Sequence, residues 1–287
     1  MIGSSSDRTV ERLLLAAALS AVGTLALIAI FIAREGGPLL LAEGPIDMIT
    51  GREWVPTQGK FGLLPMIAGS AFVTLGALAM GVPLALACAI TLAELAPSRW
   101  RLVLKPTIEL LAGIPSVVYG FIGMELLVPV IRELPWLGGP GYSALAAAVL
   151  LAIMVLPTII GIAVDAIEAV PRAYRDGSYA LGATQWQTIA GVVLPAARVG
   201  LVAAVILGMG RAVGETMAVI MVAGNSVLLP TSFLEPVRTL TANIALEMGY
   251  ATGTHEQALF ATGIVLFVIT LGLNALAGMA RRSSAAR

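Results

Sequence analysis

The chain has 287 residues, of which 58% are apolar and only 12% are charged, about half the charged share of an ordinary soluble domain. Seventeen acidic residues balance seventeen basic ones, so the formal net charge is zero, and the mean hydropathy is +0.94. A soluble monomer with so little charge would precipitate. This excludes an ordinary cytosolic enzyme, a secreted disulfide scaffold and a disordered protein, and a nucleic-acid binder would need a basic excess. The composition predicts a membrane protein with several spanning helices.

The first apolar segment, residues 13–33, follows Arg8 and Arg12 at the N-terminus. It is longer than the core of a signal peptide and lacks a clean small-residue cleavage site. We therefore interpret it as a membrane anchor that is retained.

Six apolar segments reach the ~20 residues needed to cross a ~30 Å hydrocarbon core: 13–33, 64–93, 108–130, 143–167, 199–223 and 258–280. The predicted fold class is an all-α polytopic membrane protein with six transmembrane helices. The third segment is the weakest, because Glu109 and Glu125 lie near its ends and Pro115 interrupts it.

Basic residues predict the orientation of these segments. With the N-terminus in the cytoplasm, cytoplasmic segments contain eleven lysines and arginines and external segments contain five. The predicted organisation is a cytoplasmic N-terminus (1–12), a first transmembrane helix (13–33), a periplasmic loop (34–62), a core (63–280) with a cytoplasmic loop (168–198) and a periplasmic loop (224–257), and a cytoplasmic C-terminus (281–287).

In the last periplasmic loop, Leu240, Ile244 and Met248 recur at helical spacing. This spacing indicates a short interfacial or re-entrant helix. A loop helix packed on its own protein fits the pattern equally well.

The cytoplasmic loop predicts two short helices. A helix from about Tyr174 to Leu181 can end at Gly182, since glycine readily adopts the left-handed C-terminal cap. A second helix then runs from Thr184, a good N-cap residue, to about Val193.

The second of these helices places Trp186, Ile189 and Val193 on one face. An aromatic residue on a helix pair outside the membrane favours a partner surface. The alternative is a pair of helices that only joins the fourth and fifth spans, but thirty residues are long for that purpose.

The same loop contains a spaced motif, DGSYALGATQWQTIAGVVLP, from Asp176 to Pro195. It resembles the EAA signature of ABC-importer permeases, in which Glu-Ala-Ala is followed by three residues, a glycine, nine further residues and then Ile-x-Leu-Pro. The spacing from Gly182 to Leu194 and Pro195 matches, whereas the opening triplet departs from the pattern. The resemblance implies an ATPase-coupling loop with these residues: Asp176, Gly177, Ser178, Ala180, Leu181, Gly182, Ala183, Trp186, Leu194 and Pro195.

The chain itself has no ATP-binding loop of the G-x-x-x-x-G-K-[ST] type. Its one Gly-Lys pair, Gly59-Lys60, precedes a phenylalanine in an external loop. We therefore expect ATP to be bound by another chain. A single cysteine, Cys88, and a single histidine, His255, cannot form a conventional zinc site, so we predict no catalytic residue, metal or cofactor here.

The fifth predicted span contains two charges, Arg211 and Glu215. A lone arginine at the bilayer centre costs ~2.5–3.5 kcal/mol on insertion scales, and Glu215, four residues on, lies within reach on a helix. The two charges either neutralise each other where helices pack together, or they line a substrate path. We favour the substrate path. A guanidinium suits phosphate and carboxylate, and three glycines leave space around it: Gly208, Gly210 and Gly214.

This span, with its core GRAVGETMAV, resembles the matching helix of phosphate ABC-transporter permeases of the PstC type. Three further segments resemble the same family: ELLAGIPSVVYG from Glu109, VRTLTANIALEM from Val237 and FGLLPMIAGS from Phe61. The resemblance implies a type I ABC-importer permease fold and a substrate pathway that includes Arg211, Glu215 and Thr216.

The resemblance also implies partners. They are a PstA-type permease, two ATP-binding subunits, a periplasmic or lipid-anchored phosphate-binding protein, inorganic phosphate and the lipid of a bacterial inner membrane. Permeases for sulfate, molybdate or phosphonate are the first alternative and should lack the Arg211–Glu215 motif. An ion-driven secondary transporter is the second, and would show internal repeats.

Overall fold

The structure, a computed structural model, describes residues 4–134 and 139–285. Within these ranges the chain is largely helical, and two short antiparallel strands, β1 (Trp54–Val55) and β2 (Lys60–Phe61), flank the 3-10 turn Pro56–Gln58. The α-helices are α1 (Ser4–Glu43), α2 (Pro45–Thr50), α3 (Leu64–Ile90), α4 (Ser98–Ala112), α5 (Ser116–Ile122), α6 (Val128–Glu133), α7 (Ala144–Glu168), α8 (Arg172–Ala180), α9 (Gln185–Thr188), α10 (Leu194–Gly214), α11 (Met217–Val222), α12 (Leu240–Glu247) and α13 (Thr254–Ala285). π-Helical turns extend α3 (Thr91–Leu95), join α5 to α6 (Gly123–Leu127) and join α9 to α10 (Ile189–Val193).

Five helical segments of the described ranges are long and apolar enough to cross a membrane: Val10–Glu43, Leu64–Leu95, Ala144–Glu168, Gln185–Gly214 and Thr254–Ala275. A bent pair, Arg99–Ala112 with Ser116–Glu133, supplies a sixth crossing. The predicted all-α polytopic architecture is confirmed. We call the end of the bundle that carries β1 and β2 the β-hairpin end, and the opposite end the α8–α9 end.

The predicted third span, 108–130, is wrong at its start. The chain bends by 92° between α4 and α5, because Pro115 lacks an amide hydrogen and disfavours a helical residue before it. The hydroxyl of Tyr119 donates to the Leu111 carbonyl at 2.9 Å across the corner. The third crossing is therefore a bent pair, with α4 at a steep angle to Ser116–Glu133.

The segment predicted as a periplasmic loop, 34–62, is mostly regular structure. Helix α1 continues to Glu43, and α2 and the β-hairpin follow. Apolar side chains from this segment are buried together with Leu63, the start of α3 and α13: Leu39, Met48, Trp54 and Phe61. Burial of these side chains stabilises a packed cap where composition alone indicated a loop.

Helix α7 forms the centre of the bundle. It packs against α3 and α10 through small residues, and its alanines 146, 147 and 148 are fully buried or nearly so. At Gly208 of α10, an added Cβ would lie 2.5 Å from Ile159 of α7, so glycine is required for this close approach. Since α7 and α10 run antiparallel, Arg211, three residues further on, lies level with about Leu156, midway along α7.

The predicted fifth span, 199–223, is wrong as a continuous helix. Helix α10 ends at Gly214 and a separate short helix, α11, begins at Met217. Helix α11 packs against α5 and α7, and the break between α10 and α11 lies near mid-depth of the bundle.

Candidate functional site

One face of α10 carries Arg211 and contacts no other helix of the described chain. Arg211, Gly210 and Gly214 are exposed on this face, together with Leu207. A side chain added at Gly210 or Gly214 would meet nothing within 4 Å. The other side of α10 is buried against α7 through Ala204, Gly208 and Ala212. This face of α10 therefore carries two glycines and one cation, Arg211, and it is accessible to a partner or a solute.

The break after α10 is held by the side chain of Glu215. Its backbone is extended, with φ −68° and ψ 132°, and its Oε1 accepts hydrogen bonds from the Thr216 and Ala218 amides at 3.1 and 3.2 Å. The Thr216 hydroxyl donates to the Gly214 carbonyl at 3.3 Å. Because these contacts satisfy amides that a new helix leaves free, the chain restarts as α11.

Arg211 and Glu215, which would lie within reach of each other on a continuous helix, do not pair in the structure, so the alternative of a self-neutralised pair gains no support. Among the described residues, no ion pair or hydrogen bond joins the two side chains; Glu215 instead caps α11. The i, i+4 relation holds only inside a continuous helix, and Glu215 lies beyond its end. The structure places Arg211, Glu215 and Thr216 close in sequence at one break, but leaves the Arg211 guanidinium open.

The break has a further support that the sequence reading missed. The Thr241 hydroxyl, on α12, donates to the Glu215 carbonyl at 3.0 Å. Twenty-six residues separate the two groups, and only the spacing of Leu240, Ile244 and Met248 signalled that a helix lies there. Helix α12 is packed on its own protein, with Leu240 and Asn243 almost fully buried.

At the opposite end, α8 and α9 form the predicted helix pair. Gly182 has φ +82°, and Thr184 caps α9, with its hydroxyl accepting from the Gln187 amide at 3.3 Å and the Gln187 side chain accepting from the Thr184 amide at 2.8 Å. The turn at Gly182 and the cap at Thr184 are confirmed. The hydroxyls of Ser178 and Thr188 lie 2.9 Å apart and tie the two helices together.

The exposed surface of this pair differs from the predicted one. Trp186 is 62% exposed, whereas Ile189 and Val193 are fully buried, so the expected single face is wrong. Ile189 and Val193 belong to the π-helical turn that follows α9, whereas Trp186 lies in α9 itself. Large side chains exposed on the pair are Tyr174, Tyr179, Leu181 and Trp186.

The other predicted coupling residues divide by exposure. The solvent-exposed ones are Asp176, Gly177, Ala180, Gly182 and Pro195, and the half-buried ones are Ser178, Ala183 and Leu194.

A buried ion pair fixes α8 to the bundle. Arg175 contacts Glu94, at the end of α3, at 2.5 Å, and the two side chains are only 16% and 9% exposed. Arg175 also donates to the carbonyls of Val170 and Ile167 at 2.7 and 3.0 Å. Glu94 and Arg175 are 81 residues apart, and no sequence signal paired them. This contact makes α8, α3 and the end of α7 one packed unit.

Comparison with known proteins identifies the family. Residues 81–284 match the family described as binding-protein-dependent transport system inner membrane component. The chain belongs to this family. It is thus a multi-pass protein of the inner membrane and a permease component of an ABC transporter.

Several known proteins are similar to this chain over most of their length. A probable ABC transporter permease protein YqgH of Bacillus subtilis is 43% identical over 281 residues, which are 94% of this chain and 91% of that protein. The phosphate transport system permease protein PstC of Xylella fastidiosa (strain Temecula1) is 38% identical over 84% of this chain and 80% of its own. PstC of Mesorhizobium japonicum is 35% identical over 96% and 93%.

Solved structures share the fold of this family member. A bacterial alginate ABC transporter, solved with an alginate-bound periplasmic protein, aligns with a TM-score of 0.63 at 18% identity and covers 96% of this chain and 97% of its own. The methionine ABC transporter MetNI, in an inward-facing conformation, aligns with a TM-score of 0.57 at 19% identity and covers 77% of this chain and 94% of its own. The predicted type I importer permease fold is confirmed.

Proposed function

We propose that this chain is the PstC-type permease subunit of an ATP-driven importer of inorganic phosphate, and that it forms half of the translocation pathway. The PstC relatives, named for phosphate transport, support the choice of solute with 35–38% identity over most of the chain. The observation that carries the proposal is the open Arg211 guanidinium on the glycine-bearing face of α10.

Phosphate would be guided past this face by charge. A planar guanidinium donates two parallel hydrogen bonds to an oxyanion, and the absent side chains of Gly210 and Gly214 leave room for the solute. Glu215 and Thr216 shape the same site through the backbone, since they end α10 and begin α11 beside Arg211. A weak, open site of this kind suits a path that must also release its solute.

The α8–α9 pair is the proposed docking surface for an ATPase subunit. Its exposed Tyr174, Tyr179, Leu181 and Trp186 offer aromatic and aliphatic contacts of the kind that dominate protein interfaces. Closure of the ATPase dimer would push α8 and α9, and the Glu94–Arg175 contact would carry that displacement into α3 and α7.

In this proposal the chain catalyses no reaction. The assembled importer contains this chain, a PstA-type permease, two ATP-binding subunits and an external phosphate-binding protein. The α8–α9 end and both termini face the cytoplasm, because the segments at that end carry most of the basic residues. The β-hairpin end faces outward and receives the binding protein.

Transport selectivity tests the proposal. The chain is expressed with its partner subunits in a host that lacks its own phosphate importers, and uptake of radiolabelled phosphate and sulfate is compared. We expect ATP-dependent phosphate uptake that excess sulfate does not inhibit. Preferential uptake of sulfate, or competition by molybdate or phosphonate, would assign the chain to another oxyanion.

Gly182 provides a test of the docking surface. Replacing it with valine forces a β-branched residue into a left-handed conformation, which costs on the order of 1–3 kcal/mol, and the turn between α8 and α9 should change shape. We expect Gly182→Val to lose most of the ATPase subunit that copurifies with the chain. Gly182→Asn is the matched control, because asparagine tolerates this conformation, and it should retain the subunit. Equal copurification with both variants would contradict the docking role.

A further inference from the structure

Helix α12 is bonded firmly to the break in the α10–α11 segment. The Thr241 hydroxyl donates to the Glu215 carbonyl at 3.0 Å, and the Leu240 amide donates to the Ser70 hydroxyl of α3 at 3.0 Å. The Thr239 and Thr241 hydroxyls lie 3.0 Å apart, so Thr241 can accept from Thr239 while it donates to Glu215. The first turn of α12 therefore has a fixed position relative to the break.

The other end of α12 is held by a buried carboxylate, Glu247. Only 7% of this residue is exposed, and its oxygens accept from the Trp54 indole at 2.8 Å and from Arg238 at 2.5 Å. The His255 Nε2 lies 2.8 Å from the same carboxylate. We call these four residues the Glu247 cluster: Trp54, Arg238, Glu247 and His255.

The Glu247 cluster joins α12 to the surface of the β-hairpin end. Trp54 belongs to β1, and its ring packs edge-on against Phe61 of β2. A displacement of the hairpin therefore reaches Glu247 through a buried indole and not through a flexible surface loop.

The body of α12 is rigid enough to pass such a displacement along. Its Leu240, Ala242 and Asn243 are at most 1% exposed, and it packs against α3 and α13. Eight helical residues span about 12 Å, so a displacement at Glu247 is transmitted along α12 to Thr241.

We propose that α12 is a lever that sets the geometry of the α10–α11 break from the β-hairpin end, with Thr241 as the positioning residue for Glu215. The inference rests on the proposed function, in which a binding protein docks at this end and Arg211 lies on the path. The contacts run in one line: β-hairpin, Trp54, Glu247, α12, Thr241, the Glu215 carbonyl, and the turn of α10 that carries Arg211.

A labelling experiment on the assembled complex tests the lever. A Gly210→Cys reporter, in a Cys88→Ala background, places one thiol beside Arg211, where space is open. The rate of its modification by a membrane-impermeant maleimide added outside is measured in sealed cells. We expect Thr241→Val to change this rate at least threefold, and Thr241→Ser, which keeps the hydroxyl, to remain within about 1.5-fold of the parent. Equal rates in all three proteins would overturn the proposal.

The far end of α12 distinguishes a lever from a local packing effect. Trp54→Phe keeps an aromatic ring but removes the indole donor to Glu247, and it should shift the labelling rate in the same direction as Thr241→Val. Because both changes interrupt one line of contacts, the double variant should match the single ones. A Trp54→Phe protein that labels like the parent, or a double variant whose effects multiply, would overturn the proposal.

The labelling measurement needs no phosphate, so its result can be judged independently of the proposed function. A parent complex that does not import phosphate would remove that function and leave the labelling result standing. In an importing complex, Thr241→Val should lower the maximal phosphate uptake rate severalfold while Thr241→Ser restores it, and unaltered uptake by Thr241→Val would count against the lever.

Discussion

Replacing Arg211 with glutamine is expected to reduce phosphate uptake to the background of cells that lack the importer. The change removes the one cation on the open face of α10, and a neutral amide cannot replace its two charge-assisted donors. The fold of the chain should survive, because Arg211 is exposed and makes no bond to another described residue of the chain. Loss of a membrane-embedded charge should also favour insertion, by less than the full cost of an arginine because the glutamine amide is still polar. Uptake of radiolabelled phosphate, together with the amount of copurified partner subunits, measures both effects.

Arg211→Lys is the matched control for this result. It keeps the charge but replaces the planar fork with a compact ammonium group, so we expect intermediate uptake. Normal uptake by Arg211→Gln in a fully assembled complex would remove Arg211 from the pathway. Loss of assembly in the same variant would instead make Arg211 a contact between subunits.

The second large effect is expected at the buried pair of Glu94 and Arg175. Arg175→Met leaves the Glu94 carboxylate unpaired and removes the hydrogen bonds that Arg175 donates to the Val170 and Ile167 carbonyls, in a partly buried site. Removal of one partner from a fully buried ion pair costs about 3–5 kcal/mol, and this pair, 16% and 9% exposed, should cost less. The variant should unfold at a clearly lower temperature in detergent, and the α8–α9 pair should lose its ATPase subunit, because α8 is no longer fixed to α3.

Two further variants check that the loss at Arg175 arises from the unpaired charge. The double change Glu94→Met with Arg175→Met removes both charges and should recover part of the thermal stability. Arg172→Met changes an exposed arginine of the same helix and should leave the unfolding temperature within about one degree of the parent, because surface substitutions are worth little. A double variant no more stable than Arg175→Met would show that the backbone contacts of Arg175 dominate.

Features that depend on residues adjacent in the sequence could be predicted. The apolar segments locate the bundle, and Gly182 and Thr184 locate the turn and the cap of the α8–α9 pair, because each of these features depends on a few neighbouring residues. Pro115 signalled an interruption in the third span, although a 92° corner also requires the Tyr119 contact with Leu111.

The remaining features depend on contacts between distant residues. The break at Glu215 arises because its carboxylate caps α11 and Thr241 holds its carbonyl, and neither partner follows from helix propensity. The Glu94–Arg175 and Trp54–Glu247 contacts join residues 81 and 193 positions apart. The periodicity of one helix contains no information about such pairs.

Before assembly, the open face of α10 exposes a charged side chain on this subunit. In a newly inserted chain without partners, Arg211 is a cation that no described residue of the same chain neutralises, in surroundings where an unpaired charge is unfavourable.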